Sequence, residues 1–273
     1  GGKAGLVLPA GVFNNPNPTM RRVREMLKTK TKILALVALP HLAFQVTGAN
    51  NEGNLIFIEK TTPPSDYDIF IDWARYVGID TTGKKIPQND FLEITERMKK
   101  PQKRNVIRFS ELEDRIDPWY YHPRYKEIKD HLSKSPYPLV PISDLVEESN
   151  DLFDPKQNPT DSFDYIETND VDLDEGVIIS SRQITGKTAP SRAEYILKEG
   201  DMLIPNARDC IRGVTLIGKE HEGWIGSNRF LVVRPRKEKV VPSYLYHILR
   251  QPETLALLKQ QATGEINPGI AID

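Results

Sequence analysis

Short uninterrupted apolar runs and helically spaced ones alternate through the first third of the chain. Ala4-Gly5-Leu6-Val7-Leu8-Pro9, bounded by glycine and proline, reads as a strand covered on both faces. Between 19 and 30, Met20, Val23 and Leu27 recur on one side of a helix. Arg21, Arg22, Arg24 and Lys28 fall mostly on the other side, and Thr19 is the expected N-cap. Core strands follow at 33–40 and 54–59, separated by a Gly/Asn-rich turn at 48–53. Residues 68–72 read as an edge strand, and 82–87 have the chemistry of an exposed turn. A helix over 89–100 then runs into the basic, proline-broken stretch Lys99-Lys100-Pro101-Gln102-Lys103-Arg104, the expected end of an α/β domain spanning 1–104.

The remainder, 105–273, has a different texture. Ile116-Asp117-Pro118-Trp119-Tyr120-Tyr121-His122-Pro123 leads into a helix near 125–132. Short strands are expected at 165–166, 176–180, 202–205, 214–217 and 230–233. From Pro242 onward Tyr244, Leu245, Ile248, Leu249, Leu255, Leu257 and Leu258 recur at helical intervals, so two helices close the pattern before Gly264. This is an α+β, β-rich domain with terminal helices. No repeat of fixed period and no low-complexity tract interrupts it.

With 273 residues the chain has room for two cores. Its net charge of −1 excludes a global pull toward nucleic acid or membrane, so any such partner must meet a local patch. Charge is nonetheless uneven: 144–175 is acidic, while 182–239 carries Arg182, Lys187, Arg192, Arg208, Arg212, Arg229, Arg234 and Arg236. The two stretches are expected to form opposite faces. A lone cysteine, Cys210, excludes an internal disulfide and fits a reducing, cytoplasmic compartment. Apolar runs such as 33–40 are far shorter than the ~20 residues that span a bilayer, which argues against a membrane partner. No secretory signal opens the sequence, and its start at Gly1-Gly2-Lys3 without a methionine suggests a piece of a longer protein.

Candidate chemistry is sparse. His41, His122, His131, His221 and His247 lie in unrelated contexts and read as structural or surface histidines. Asn169-Asp170-Val171-Asp172-Leu173-Asp174-Glu175-Gly176 imitates the start of a calcium loop, but Glu175 and Ser181 occupy its glycine and glutamate positions, so a solvated acidic turn is expected. Glu127-Ile128-Lys129 with Asp117 loosely matches a nuclease carboxylate–lysine set, yet falls in a helix and reads as a charged face. Gly1-Gly2-Lys3-Ala4-Gly5 lacks phosphate-cradling spacing. The basic side of the first helix, with Lys30 and Lys32, reads as solvated. More informative are turns that combine cations with amides and hydroxyls: Ser180-Ser181-Arg182-Gln183, Thr185-Gly186-Lys187-Thr188, Asn206-Ala207-Arg208-Asp209 and Ser227-Asn228-Arg229. Such loops can supply bidentate contacts to guanine and adenine edges, or equally a protein-binding surface.

Two segments resemble known families. The opening 1–11, Arg24 and Leu27, 33–40, Phe44 to Thr47-Gly48 and 54–60 resemble the closing part of the catalytic domain of type I restriction-modification adenine-N6 DNA methyltransferases. Val77-Gly78-Ile79-Asp80, Gly83-Lys84 and Pro87-Gln88-Asn89-Asp90 look like the tail of the same subunit. From Arg115-Ile116-Asp117-Pro118-Trp119-Tyr120-Tyr121 onward the chain resembles the target-recognition domain of the type I specificity subunit. Supporting pieces are Tyr165 to Val171, Glu199-Gly200-Asp201-Met202-Leu203-Ile204-Pro205, Phe230-Leu231-Val232-Val233-Arg234-Pro235, Tyr244-Leu245 and Gly264.

The resemblance implies a Rossmann-like sheet remnant followed by a DNA-recognition domain, and a parent that transfers a methyl group from S-adenosylmethionine to adenine N6. Double-stranded DNA and the methyltransferase and restriction subunits of the same system would be its partners. The glycine-rich cofactor loop and the Asn/Asp-Pro-Pro-Phe/Tyr loop of that family are missing from the sequence, and Asn14-Asn15-Pro16-Asn17-Pro18 has the composition of the second without its order. No catalytic, cofactor or metal residue is therefore assigned to this chain. The expected DNA contacts are Arg182, Gln183, Lys187, Arg208, Asn228 and Arg229, with Arg192 and Arg212 as weaker ones. The alternative is a non-enzymatic assembly module that docks partner subunits through Trp119-Tyr120-Tyr121 and the terminal helices.

Overall fold

The computed structural model describes residues 1–41, 43, 52–80, 82–157 and 159–263. The chain forms two compact units, with bodies Gly1–Lys129 and Asp130–Ala262. The expected segment Phe44 to Gly48, most of the turn at 48–53, and Gly264 lie outside the described residues.

In the first unit, strand β1 (Lys3–Pro9) leads through α1 (Ala10–Asn14) and α2 (Pro18–Lys30) to β2 (Lys32–Ala38), β3 (Gly53–Glu59) and β4 (Asp68–Trp73). A small antiparallel pair, β5 (Val77–Ile79) and β6 (Lys85–Asn89), then precedes α3 (Phe91–Lys99) and β7 (Val106–Arg108). The main sheet has the order β1-β3-β2-β4-β7. Strand β3 inserts antiparallel between β1 and β2, while β2 and β4 are parallel. Strands β1, β2 and β4 consequently point one way, and Pro9, Ala38 and Trp73 end them along the same edge.

Both sheet faces are covered where β2 and β4 lie. Ile33, Leu36, Ile69 and Ile71 pack with Phe13 and Leu27, whereas Ala35, Val37 and Phe70 pack with Ile94 of α3. A bulge between Ile33 and Ala35 displaces the Ile33 amide from the ladder, and the buried Tyr67 hydroxyl accepts its hydrogen bond at 3.0 Å. Strand β4 is interior and buried, not the expected edge, because β7 pairs with its far side.

The expectation that β1 is covered on both faces is overturned. Among the described residues only β3 pairs with it, and its residues are exposed apart from Leu8, which is half-buried; Leu6 and Val7 are 40% and 51% accessible. Its apolar character reflects composition, not the neighbours it has. The N-cap of α2 is Asn17, whose Oδ1 accepts from the Met20 amide at 2.9 Å, with Pro18 in the first turn; Thr19 lies inside the helix. Arg24, expected on the polar side, is 1% exposed. Its Nε and Nη2 donate to the Asp114 carbonyl (2.8 Å) and carboxylate (2.7 Å), and Nη1 donates to the carbonyls of Val12 (3.1 Å) and Asn15 (2.9 Å).

That clamp holds the chain beyond residue 104 against the first unit. Asn105 donates to the Ile71 carbonyl, the Ile116 amide donates to Phe13 O, and Ile116 is fully buried in the same core. Compactness therefore carries the first unit past the basic stretch, to Lys129.

The second unit begins within α4 (Pro123–Leu132) and continues through α5 (Ile142–Leu145) to β8 (Val146–Glu148) and β9 (Ser162–Ile166). Next come β10 (Val171–Asp172), β11 (Val177–Ile178), β12 (Arg182–Thr185), β13 (Ala193–Ile196), β14 (Met202–Pro205) and β15 (Thr215–Leu216). Strands β16 (Ile225–Ser227) and β17 (Phe230–Pro235) precede α6 (Pro242–Leu249) and α7 (Pro252–Gln261). Two four-stranded sheets result, β12-β9-β16-β13 and β15-β14-β17-β8, with a β10-β11 ribbon beside them.

Alternation along β14 and β17 explains why both strands are buried on both faces. Met202, Ile204, Leu231 and Val233 point to a core shared with Leu245 and Leu249 of α6, while Leu203, Phe230 and Val232 meet Ile166 and Leu197 of the other sheet. Gly176 turns the β10-β11 ribbon at φ +68°, where a Cβ would collide with the Val214 carbonyl at 2.4 Å.

Replacement of Arg24 by Met leaves the Val12 and Asn15 carbonyls without their donor, and should destabilise the first unit by about 3 kcal/mol in urea unfolding followed by tryptophan emission. An exposed apolar edge strand is also an association site. Val7→Lys should lower concentration-dependent self-association in light scattering and leave the melting temperature unchanged.

Candidate nucleic-acid interface

In the second unit the chain crosses from one sheet to the other at Asn228 and Arg229, between β16 and β17. Three hydrogen bonds gather separate turns around this crossing. The Asn228 amide donates to the Arg192 carbonyl (2.8 Å), the Asn206 amide to the Arg229 carbonyl (2.9 Å), and Asn206 Nδ2 to the Asn228 carbonyl (3.1 Å). The turn after Asn206 carries Arg208. Arg192, Asn228 and Arg229 are exposed, and Arg208 is half-buried. Three guanidinium residues and two amides thus come from three turns to one end of the paired sheets.

Sheet order brings Arg182 to the same end. It opens β12 opposite Tyr165, and β16, which is parallel to β9, ends at Ser227 just beyond that register. Arg182 is committed internally, however: its guanidinium lies 4.9 Å over the Tyr165 ring and donates to Glu167 at 3.0 Å. Gln183 is exposed, with its side-chain oxygen accepting from the Ser162 hydroxyl at 2.5 Å. Lys187 lies in the turn at the opposite end of β12, where its amide donates to Pro159 O. Arg212 belongs to neither group: Nε pairs with Asp174 at 2.7 Å and Nη1 donates to the Asp209 carbonyl. Of the eight expected contacts, Arg192, Arg208, Asn228 and Arg229 are brought together. Lys187 and Arg212 are not. Asn206, weighed only as a neighbour of Arg208, is the residue that joins the turns; its signal was its place directly after a buried strand.

The acidic and basic stretches do not form opposite faces. Arg234 bridges Asp151 (2.7 Å) and the fully buried Asp201 (2.8 Å), Lys198 reaches Asp151 (2.7 Å), and Arg182 and Arg212 pair with Glu167 and Asp174. These carboxylates raise the Arg234 guanidinium pKa, while Lys198 and then Arg234 hold the Asp151 carboxyl below its ordinary range. Asp172 accepts the amides of Asp174 and Glu175, as a solvated acidic turn should.

The expected partner-docking elements are partly consumed within their units, with Trp119 and Tyr244 left exposed. Tyr120 is buried, Tyr121 donates to the Arg115 carbonyl at 2.7 Å, burial raises the Tyr121 phenol pKa, and the apolar side of α6 faces its own sheet. Among the described residues no cluster of three or more His, Cys, Asp or Glu side chains could hold a metal. Among the same residues no helix is long and apolar enough to cross a membrane.

The order of strands in the first unit and the recruitment of 105–122 to its core define one continuous segment. Residues 1–122 match the model of the N-6 DNA Methylase family. The match to N-6 DNA methylases covers nearly all of the first unit and none of the second. Among solved structures the chain is similar to a chain of a type I R-M system described for its complex assembly and conformational transition. That alignment has 30% identity over 42% of this chain and 31% of the other, with a TM-score of 0.39. It is also similar to the HsdS subunit from Thermoanaerobacter tengcongensis, at 27% identity, 48% and 34% coverage and a TM-score of 0.42. A third similarity is to a modification subunit of a type I restriction enzyme from Vibrio vulnificus YJ016, at 21% identity, 39% and 22% coverage and a TM-score of 0.29. The chain spans about a third or less of the length of each. No curated protein matches it.

Because the folded Asp151 carboxyl titrates below its unfolded value, its contribution to stability is present above about pH 4 and lost as pH falls through the lower, folded value. Thermal melts of the wild type and Asp151→Asn should therefore differ at neutral pH and converge as the pH is taken well below 4.

Proposed function

We propose that the second unit reads a duplex DNA sequence for a type I-like restriction-modification system. In this reading it directs adenine-N6 methylation carried out by an intact parent enzyme in the cytoplasm. The observation that carries the proposal is the gathering of Arg192, Arg208, Asn228 and Arg229 around Asn206 at the crossing between the sheets. Guanidinium groups can pair with phosphates or, bidentately, with guanine, and the exposed Asn228 amide has the donor and acceptor that adenine presents. The N-6 DNA methylase match of residues 1–122 supports DNA as the substrate of the parent. Methyltransferase and restriction subunits are the protein partners this reading implies.

The parent's S-adenosylmethionine does not fit the residues present. The turn from β1 into α1 has Pro9 at its N-cap without a side-chain cap, and the Ala10 amide is already spent on the Glu52 carbonyl at 2.9 Å. With no glycine-rich loop to approach a cofactor, no methyl-transfer step is assigned to this chain.

Mobility-shift titration of duplex DNA at several salt concentrations tests the proposal. If the three arginines each neutralise a phosphate, log K should fall with log[salt] at a slope of about −3. The double reversal Arg192→Glu with Arg229→Glu should weaken binding about tenfold or more at low salt. Arg212→Glu should have little effect. Absence of duplex binding at low salt, or equal loss with Arg212→Glu, would sink the reading.

A further inference from the structure

At the edge of the first sheet where β1, β2 and β4 end, Trp73 closes β4 and meets a second aromatic group from the segment after Ile116. The Trp73 ring lies 4.6 Å from His122, and Trp119 lies 6.4 Å from Trp73. Trp119 and His122 are nearly parallel, 14° apart with centroids separated by 6.0 Å. Trp119 remains 38% exposed, whereas Phe13, Tyr67, Phe70 and Tyr120 of the same unit are buried.

The charges around this stack are unbalanced. Arg75 and Arg124 are exposed, both act electrostatically on His122, and among the described residues neither guanidinium has a carboxylate partner. The nearby Asp72 carboxylate is already bound to Arg97 at 2.7 Å, which leaves Glu127 as the acidic group acting on the imidazole. Burial, with Arg124 next, lowers the His122 pKa, so the ring is neutral at physiological pH. Its Nδ1 accepts the Arg124 amide at 3.2 Å, which puts the ring proton on Nε2 as a donor.

We propose that this edge is a base-stacking site, in which Trp119, backed by His122 and Trp73, takes the face of one unpaired nucleobase while Arg75 and Arg124 take the adjoining phosphates. A polyanion with flat faces satisfies both halves of the site. An apolar protein surface would leave the two guanidinium groups unmatched, and a free phosphate would leave the indole unused. The proposal concerns the first unit and does not depend on duplex reading by the second.

The test uses the whole chain and fluorescence anisotropy of a labelled single-stranded DNA of about ten nucleotides, beside the same strand carrying abasic sites. Wild type should prefer the strand with bases. Trp119→Ala should lose about tenfold for that strand and nothing for the abasic one, while Trp119→Phe retains most of the affinity and controls for folding. The Arg75→Glu, Arg124→Glu pair should weaken both strands. All of this should persist in the Arg192→Glu, Arg229→Glu background. Equal binding of the two strands by wild type, an unchanged Trp119→Ala, or loss of the base preference in that background would overturn the proposal.

Discussion

The first unit depends on one buried cation. Arg24 sits inside the protein because every nitrogen of its guanidinium is met: Nε and Nη2 reach Asp114, and Nη1 serves the carbonyls of Val12 in α1 and of Asn15 just beyond it. A planar fork of fixed donors can do this where a lysine cannot. Once the fork is satisfied, α2, the Val12–Asn15 backbone and the segment around Asp114 are held in one arrangement. Ile116 can then complete the core that Phe13 and Leu27 begin. Lys28 reinforces the contact one turn later by donating to the Glu113 carbonyl.

The second unit solves a related problem with several ion pairs instead of one. Its acidic stretch, strongly repulsive by itself, is stitched to the basic one at Arg182, Lys198, Arg212 and Arg234. The half-exposed pairs among these contribute little. Arg234 is different, because Asp201 is fully buried and has no solvent to fall back on. Among the described residues Arg192 and Arg229 at the sheet crossing carry no carboxylate pair, and backbone hydrogen bonds hold their turns in place.

Most strands with long apolar runs were legible in the sequence: 33–40, 54–59, 202–205 and 230–233 all correspond to observed strands, as do both closing helices. The short strands β12, β13 and β16 escaped because they are only three or four residues long and Arg182, Gln183, Glu194, Gly226 and Ser227 interrupt their apolar character, so pairing rather than composition makes them strands. The exposure of β1 was unreadable for the opposite reason: apolarity states what a strand could bury, and neighbours decide what it does bury. Arg24 looked like any surface arginine at its helical position, since its partner lies 90 residues away. At the candidate interface, Arg192 and Arg229 were legible as cations on turns. Their union through Asn206 was not, because it rests on main-chain atoms that every residue has. The mismatch between expected opposite faces and the observed pairs has the same origin, as charge blocks along a sequence carry no information on strand order.

The Ile116–Tyr121 segment looks, by composition, like the start of the second half, yet its side chains complete the first. Exchange of the second unit for an unrelated one would thus be tolerated only where the junction falls downstream of those aromatics. A junction at the proline-broken basic stretch would hand the incoming half a set of residues fitted to a core it does not contain, and strip the resident half of the piece that closes it.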